Sequence, residues 1–354
     1  MNKKIVFTGG GTAGHVTPNI ALLPFLEKEG FDAYYIGSYN GIEKRLIEDF
    51  DIPYYGISTG KFRRYFDLKN LSDPFRVMKG YSQAVKILKE LKPDIVFSKG
   101  GFVSVPVVRA AASLKIPCII HESDMTPGLA NKLCLPVATK VCCNFPETTK
   151  YVPSGKAILT GSPIRMELTT GSKLAALELC GFTANKPVIM VIGGSQGAAS
   201  VNIMVREALP KLLEDFQVVH ICGKDKVDNL MLNIPGYKQF EYLKSDLKDV
   251  FAMADVVVSR AGANAICELL ALKKPNLLIP LQMGTRGDQI LNARSFEEQG
   301  FSMAVREDFI DCDILTEKIY ELYEKRQMYI DKMCESNQIN SIPTIVDLIK
   351  EYCL

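Results

Sequence analysis

Short runs of consecutive apolar residues, each closed by glycine or a polar turn and followed by apolar positions three and four apart, recur along the chain. Lys3–Thr8, Ala33–Ile36, Ile95–Phe97 and Pro117–His121 read as buried strands, because polar residues do not alternate with apolar ones inside them. Ile52–Ile57 reads as a further short strand. The stretches between read as helices: Pro18–Lys28, with Pro18 suited to the first turn, Gly41–Phe50, Ser82–Leu91 and Val103–Leu114. In Ser82–Leu91 the positions Val85, Ile87, Leu88 and Leu91 make one apolar face. Alternating strand and helix imply a doubly wound, parallel α/β sheet.

After Thr160-Gly161-Ser162-Pro163 the pattern restarts. A helix over Leu174–Leu179 precedes the strand Val188–Ile192, and a helix over Val201–Leu213 follows it. Val218–Cys222 and Phe240–Tyr242 are further strands, and Ser245–Ala254 a helix. Residues 255–292 then give a short buried strand, a Gly262 turn, a helix over Ala263–Leu272, another strand, and a polar loop opening a helix. Two helices close the chain, Leu315–Glu335 and Thr344–Tyr352, the latter after Ser341 with Pro343 near its first turn. Two similar domains are expected, 1–162 and 163–340, with residues 341–354 as a closing helix.

Composition narrows what such a pair can do. The 354 residues suffice for two full cores, and 47% hydrophobic with 23% charged residues is ordinary for a globular protein. A net charge of +2 supplies no global attraction to nucleic acid or membrane, so either contact needs a local patch. The ten cysteines contain no C-x-x-C pair and most sit in apolar runs, which reads as core packing in a reducing compartment. Neither they nor the scattered histidines have zinc-ligand spacing. The run Ile5-Val6-Phe7 is too short for a signal peptide, and no window reaches the ~20 apolar residues of a spanning helix. A cytosolic protein with at most peripheral membrane contact is expected. The local patch is residues 61–80, where six Lys/Arg stand against two Asp and interleave with Phe62, Tyr65, Phe66 and Phe75. It fits an anionic membrane surface or an ordinary solvated loop. No nucleic-acid module accompanies it.

Chemistry concentrates at the glycine turns. Gly9-Gly10-Gly11-Thr12-Ala13-Gly14 has G-x-G-x-x-G spacing between strand and helix, where backbone amides can meet an anion. The next strand ends Ile36-Gly37-Ser38 without the carboxylate that an NAD(P) oxidoreductase places on its ribose. Gly193-Gly194-Ser195-Gln196-Gly197 shares the mechanics, with the Ser195 hydroxyl as an added donor; plain tight turns are the alternative for both loops. Of three histidines, His220 closes an apolar strand and reads as core, and His121 orients its own turn. His15 sits at a loop-to-helix junction, as a general base or a helix cap. Glu268 interrupts an apolar helix and leans back toward Gly262, while Asp288, Gln289 and Asn292 arise at the next strand-to-helix junction. Such groups aimed at one crevice point to a hydroxyl-rich ligand such as a sugar nucleotide. The Asp-x-Asp pairs at Asp49 and Asp311 read as a helix end and an N-cap. Arg165 is placed to meet a leaving pyrophosphate or to be a surface cation.

Six motifs in order then carry a resemblance across nearly the whole chain: GGGTAGHVTP at Gly9–Pro18, SKGGFVSVP at Ser98–Pro106, HESDMTPGLAN at His121–Asn131, GGSQGA at Gly193–Ala198, SRAGANAICE at Ser259–Glu268 and RGDQILNA at Arg286–Ala293. The chain resembles the MurG family of glycosyltransferases (family 28), which move N-acetylglucosamine from UDP-GlcNAc to the MurNAc 4-hydroxyl of lipid I in peptidoglycan synthesis, giving lipid II. The resemblance implies a GT-B fold: two Rossmann-like domains facing across a cleft, with residues 341–354 packing back on the first. It implies a donor domain in which Glu268 holds the ribose and Asp288, Gln289 and Asn292 the sugar hydroxyls. Arg165, Ser195 and Gln196 would serve the donor with amides near Ala263 and Asn264, and the Leu243 backbone would read uracil. Gly10, Gly11, Thr12, Ala13, Gly14, Gly100 and Gly101 would cradle the acceptor diphosphate, with His15 as base and Glu122 nearby. No metal or other cofactor is implied. The place implied is peripheral, on the cytoplasmic face of the cell membrane, with residues 61–80 toward the lipid. The chain departs from the family pattern at Ser123-Asp124, where Gln-Asn is usual, and at Asp288-Gln289, where a Gln pair is usual. A UDP-sugar-dependent diacylglycerol glycosyltransferase, a UDP-GlcNAc epimerase and an NAD(P) oxidoreductase are the alternatives.

Overall fold

A computed structural model describes residues 2–60, 73–194, 197–282 and 288–353. The chain divides into two compact units, Met1–Arg165 with Asn340–Leu354, and Met166–Ile339.

The first unit contains β1 (Lys3–Thr8), α1 (Thr17–Lys28), β2 (Phe31–Ser38), α2 (Ile42–Ile47), β3 (Tyr54–Ile57) and α3 (Asp73–Leu91). They are followed by β4 (Ile95–Ser98), α4 (Ser104–Ser113), β5 (Cys118–Glu122), α5 (Leu129–Cys134), β6 (Lys140–Cys143) and β7 (Ala157–Leu159). Among the described residues the strands form one parallel sheet of order β3-β2-β1-β4-β5-β6-β7. Successive residues of β1 serve opposite faces, as a doubly covered strand requires. Val6 packs with Leu88, Val107 and Ala111 of α3 and α4. Ile5 and Phe7 pack with Leu22 and Leu26 of α1 and with Ile345 and Ile349. Those last two belong to α13 (Ser341–Tyr352), which returns from the second unit and is tied down by Lys350 Nζ to Glu29 (2.5 Å) and Ser341 Oγ to the Ser162 carbonyl (2.9 Å).

The second unit contains α6 (Lys173–Cys180), β8 (Val188–Ile192), α7 (Ala199–Asp215), β9 (Gln217–Ile221), β10 (Tyr237–Phe240), α8 (Leu247–Met253) and β11 (Val256–Ser259). It continues with α9 (Ala263–Ala271), β12 (Asn276–Leu278), α10 (Asp288–Glu298), β13 (Met303–Ala304), α11 (Cys312–Glu324) and α12 (Arg326–Cys334). Its strands are again parallel, in the order β10-β9-β8-β11-β12-β13.

Each sheet reverses its winding once, between β1 and β4 in the first unit and between β8 and β11 in the second. In open α/β sheets the carboxyl ends of the strands at such a reversal are where ligands bind. All four glycine turns singled out in the sequence leave one of these four strands.

The differences from the sequence pattern have local causes. Helix α3 begins nine residues before Ser82, because Phe75 and Met78 face solvent and add no buried periodicity to its first turns. Gly80 inside it lets the helix press on the end of β3: a Cβ there would stand 2.0 Å from the Ser58 carbonyl oxygen. The short elements α5, β6 and β7 lack long apolar runs, and the expected helix Leu315–Glu335 is two helices joined at Lys325.

Candidate active site

In the first unit, the turns after β1 and β4 pack backbone against backbone. Gly10 N donates to Gly100 O at 3.3 Å. Gly101 has φ +83°, and a Cβ on it would lie 2.2 Å from the Gly10 carbonyl oxygen, so glycine is required twice over. A polar layer supports the first turn from below. Tyr35 donates to Gly9 O (2.8 Å), and Asn19 Nδ2 donates to Thr8 O (3.2 Å). The buried Glu43 carboxylate accepts from Gly11 N (3.1 Å), Ser38 N (3.0 Å) and the Ser38 hydroxyl. Gly10 and Gly11 therefore direct their amides inward. Thr12 and Ala13 are exposed, and their amides find no acceptor among the described residues, which leaves the anion-binding capacity at the tip of the loop.

His15 ends the 3-10 turn Ala13–His15. Its Nδ1 lies 3.0 Å from the Gly10 carbonyl oxygen and 3.1 Å from Thr12 Oγ1. A carbonyl can only accept, so Nδ1 carries the hydrogen and the Nε2 lone pair is left to act as a base. Burial, then the charge of Lys99, lowers the His15 pKa below 6.5, against opposing contributions from Gly10 and Glu43. The ring is therefore neutral, and basic, at neutral pH.

His121 is wholly buried. Its Nε2 donates to Gly161 O (2.8 Å) and its Nδ1 accepts from Lys99 Nζ (2.7 Å), which makes it a fixed strut between those two residues, whereas the sequence has it orienting its own turn. Glu122 is buried too. One oxygen accepts from Asp124 N (2.9 Å), the other from Gly128 N (3.1 Å) and Asn131 Nδ2 (2.8 Å). It folds the 122–131 loop beside the Gly100-Gly101 turn, and its pKa is raised by burial against those hydrogen bonds. Arg165 is half-buried and is the last residue of the first unit.

In the second unit, Gly197 N donates to Gly194 O (3.0 Å), and a Cβ on Gly197 would stand 2.1 Å from Cys222 O. Ser195 and Gln196 lie outside the described residues, as does Arg286. Gly262 is the N-cap of α9 with no side-chain cap, so the positive end of the helix dipole opens at Ala263 and Asn264. Helix α9 buries Ile266, Cys267, Leu269 and Leu270, while Asn264 and Glu268, four residues apart, share its half-buried face. The Leu243 side chain is buried, and its backbone N–H and C=O find no partner among the described residues. Asp288 stands half-buried in the first turn of α10. Gln289 Oε1 already accepts from Leu281 N (3.0 Å), and the buried Asn292 donates to Ala261 O (3.2 Å). Both therefore shape the turns around α9, and the Gln289 amide nitrogen has no acceptor among the described residues. His220, held by Tyr237 Oη (2.9 Å) and Asn202 Oδ1 (3.0 Å), is the core histidine its strand predicts.

Four residues not singled out in the sequence matter here: Glu43, Lys99, Asn131 and Arg260. Buried Arg260 donates to both oxygens of Glu307 (2.8 and 3.0 Å), to Ile279 O (3.0 Å) and to Ser200 Oγ (3.0 Å). It thereby pins the β11–α9 turn to the first turn of α7. Its place in the SRAGANAICE motif was the available signal; the distant Glu307 gave none. Among the described residues no group of three or more His, Cys, Asp or Glu could hold a metal ion.

Two doubly wound parallel sheets, each with glycine turns at its reversal and one with a neutral imidazole beside them, define a glycosyltransferase of the two-domain Rossmann-like class. Residues 5–143 match the glycosyltransferase family 28 N-terminal domain, and residues 188–349 the family 28 C-terminal domain; the chain belongs to this family. It is 64% identical over 350 residues, 99% of both chains, to the UDP-N-acetylglucosamine–N-acetylmuramyl-(pentapeptide) pyrophosphoryl-undecaprenol N-acetylglucosamine transferase of Lachnospira eligens. It is 59% identical, at the same coverage, to the protein of that name in Lachnoclostridium phytofermentans. Among solved structures, Acinetobacter baumannii MurG aligns with a TM-score of 0.79 and 27% identity over 99% of each chain. A Neisseria meningitidis UDP-GlcNAc 2-epimerase, 16% identical with a TM-score of 0.67, shares the fold alone. These matches give the oxidoreductase, epimerase and diacylglycerol alternatives no support.

Proposed function

We propose that this enzyme transfers N-acetylglucosamine from UDP-GlcNAc to the 4-hydroxyl of the MurNAc residue in undecaprenyl-pyrophosphoryl-MurNAc-pentapeptide, inverting the anomeric centre. The observation that carries the substrate pair is the near full-length, 64% identity to a transferase of that name. The geometry supports the following roles. His15 Nε2 removes the acceptor hydroxyl proton as the acceptor oxygen attacks the anomeric carbon from the β face, and the C–O bond to UDP breaks on the α face in the same displacement. The open amides of Thr12 and Ala13 receive the acceptor diphosphate, beside the Gly100-Gly101 turn. Glu122 keeps that neighbourhood in shape through its bonds to Asp124, Gly128 and Asn131.

Donor recognition falls to the second unit. The Leu243 peptide presents one donor and one acceptor, which matches the edge of uracil. Glu268 accepts the ribose hydroxyls, and the amides at Ala263 and Asn264 offset the charge on the departing diphosphate, with Arg165 and Ser195 as further donors. Gln196, Asp288 and the Gln289 amide meet the sugar hydroxyls, with Asn292 holding the turn beneath them. The reading requires no cofactor.

The same reading puts the enzyme at the cytoplasmic face of the membrane. No helix among the described residues is long and apolar enough to cross it. On α3, Phe75 and Met78 are exposed (75% and 67%) next to exposed Arg76 and Lys79, a combination suited to anionic lipid. The rest of the basic and aromatic patch, residues 61–72, lies outside the described residues.

The test is donor and acceptor competition. UDP-GlcNAc, UDP-glucose and UDP-galactose are each offered with a short-chain lipid I analogue and with diacylglycerol. Consumption of UDP-GlcNAc with the lipid I analogue alone is expected. Hexose transfer to diacylglycerol at a comparable rate would overturn the assignment.

A further inference from the structure

Lys99 is a lysine only 1% exposed, set at the base of the Gly100-Gly101 turn. Its backbone N–H continues the sheet register by donating to Thr8 O (3.0 Å), and its Cβ lies 3.3 Å from where a Cβ on Gly9 would be. The side chain thus starts directly beneath both glycine turns. Its ammonium ends in a clamp between His121 Nδ1 (2.7 Å) and Ser123 Oγ (2.5 Å). His121 is in turn fixed by donating to Gly161 O, so the strut has one tautomer and no rotational freedom. Ser123 belongs to the Ser-Asp pair that replaces the usual Gln-Asn of the family pattern. The departure therefore has a physical partner in Lys99.

We propose that Lys99 is a positioning residue for His15: a buried, hydrogen-bonded cation that locks the Gly100-Gly101 turn against the Gly9–Gly11 turn and places its charge in the surroundings of the base. A buried ammonium is costly unless its hydrogens are taken up, and the His121 nitrogen and Ser123 hydroxyl take up two of the three. Its field is weakly screened at this depth. It reaches His15, whose ring nitrogen stands 3.2 Å from where a Cβ on Gly101 would be. The charged groups acting on His15 are Lys99 from the β4 turn, which disfavours the imidazolium, and Glu43 from α2, which favours it. Burial is the larger cause of the neutral ring, and Lys99 adds to it against Glu43. The same field lowers the pKa of His121, after burial, and favours the ionised form of Glu122.

The inference rests on the reading of His15 as base for its catalytic meaning, but its test does not. With only three histidines, 15N-histidine NMR resolves each imidazole of the whole protein. In Lys99→Met the His15 titration midpoint is expected to move up toward 6.5, and the acidic limb of kcat/KM to move with it. UDP affinity, which reads the second unit, is expected to hold. Lys99→Arg keeps the charge and is expected to return the midpoint toward that of the unsubstituted enzyme. In the unsubstituted enzyme, the Lys99 15Nζ resonance is expected to report the His15 titration, which keeps the test intact if Lys99→Met does not fold. A His15 midpoint unmoved in folded Lys99→Met, an equal shift in Lys99→Arg, or a Lys99 resonance flat through the His15 titration would each overturn the proposal. An unaltered rate in His15→Ala would instead remove the base assignment and leave the coupling of the two residues standing.

Discussion

Arg260→Ala removes four donor contacts at once. The guanidinium fork meets Glu307 at 2.8 and 3.0 Å and also serves Ile279 O and Ser200 Oγ. Truncating one partner of a buried ion pair costs roughly 3–5 kcal/mol, because the other is left without compensation. Glu307 retains 21% of its side-chain exposure, so water recovers part of that, and a loss of about 2–3 kcal/mol is the expected size. For a domain of this size, that lowers the melting temperature by roughly 5–10 °C. The β11–α9 turn is also freed from α7, so UDP is expected to bind about tenfold more weakly, equivalent to about 1.4 kcal/mol. Thermal denaturation and calorimetric titration with UDP measure the two effects. The double variant Arg260→Met with Glu307→Leu should recover most of the stability, since it leaves no buried charge, but not the UDP affinity. A single variant with unchanged melting temperature and UDP affinity would refute the latch.

Gly101→Ala should cost about 1–2 kcal/mol from its left-handed backbone alone, plus the displacement its 2.2 Å approach to Gly10 O forces, and should reduce turnover without altering UDP binding. Gly11→Ala, at φ +84° with open space around it, should show only the conformational cost, measured by denaturant unfolding. Acid should destabilise the fold from about pH 6.5 downward. Burial and the Arg206 charge bring the His220 pKa to about 3, so the unfolded chain takes up its proton first and stability falls with pH; the His220 contribution lost by pH 5 is about 2 kcal/mol. A denaturation midpoint constant between pH 7 and 5 would contradict that assignment. Replacing Phe75 and Met78 by serine, with Arg76 and Lys79 by glutamate, should weaken binding to anionic vesicles while sparing turnover of a short-chain acceptor, and equal vesicle binding would remove the patch.

Strand and turn positions were legible because they depend on local pattern. The runs Ile5-Val6-Phe7 and Val188–Ile192 need no partner to be recognised, and a glycine turn after a strand declares itself. His15 was legible for the same reason, standing beside a turn. The supporting charges were not. Glu43 sits in a short, ordinary-looking helical stretch and acquires its meaning only when α2 brings it beneath Gly11, and Lys99 only when β5 brings His121 and Ser123 to its ammonium. The acidic residue missing after Ile36 is supplied in space by Glu43, which accepts from Ser38 N at the end of β2. There it bonds the protein's own loop, so its sequence position did not reveal it. Gln289 and Asn292 were read from residue type as facing a ligand, and the amide side chains also hold the chain at Leu281 and Ala261. Pairing over long sequence distances, as between Arg260 and Glu307, has no periodic signature.

The proposed division of labour between a nucleotide-binding second unit and a proton-accepting first unit is tested most directly by one variant. His15→Ala should bind UDP-GlcNAc with unchanged affinity in a calorimetric titration and transfer it to a lipid I analogue about 10²–10⁴-fold more slowly, the usual worth of a general base. Transfer at the unsubstituted rate, with the same donor affinity, would contradict the account.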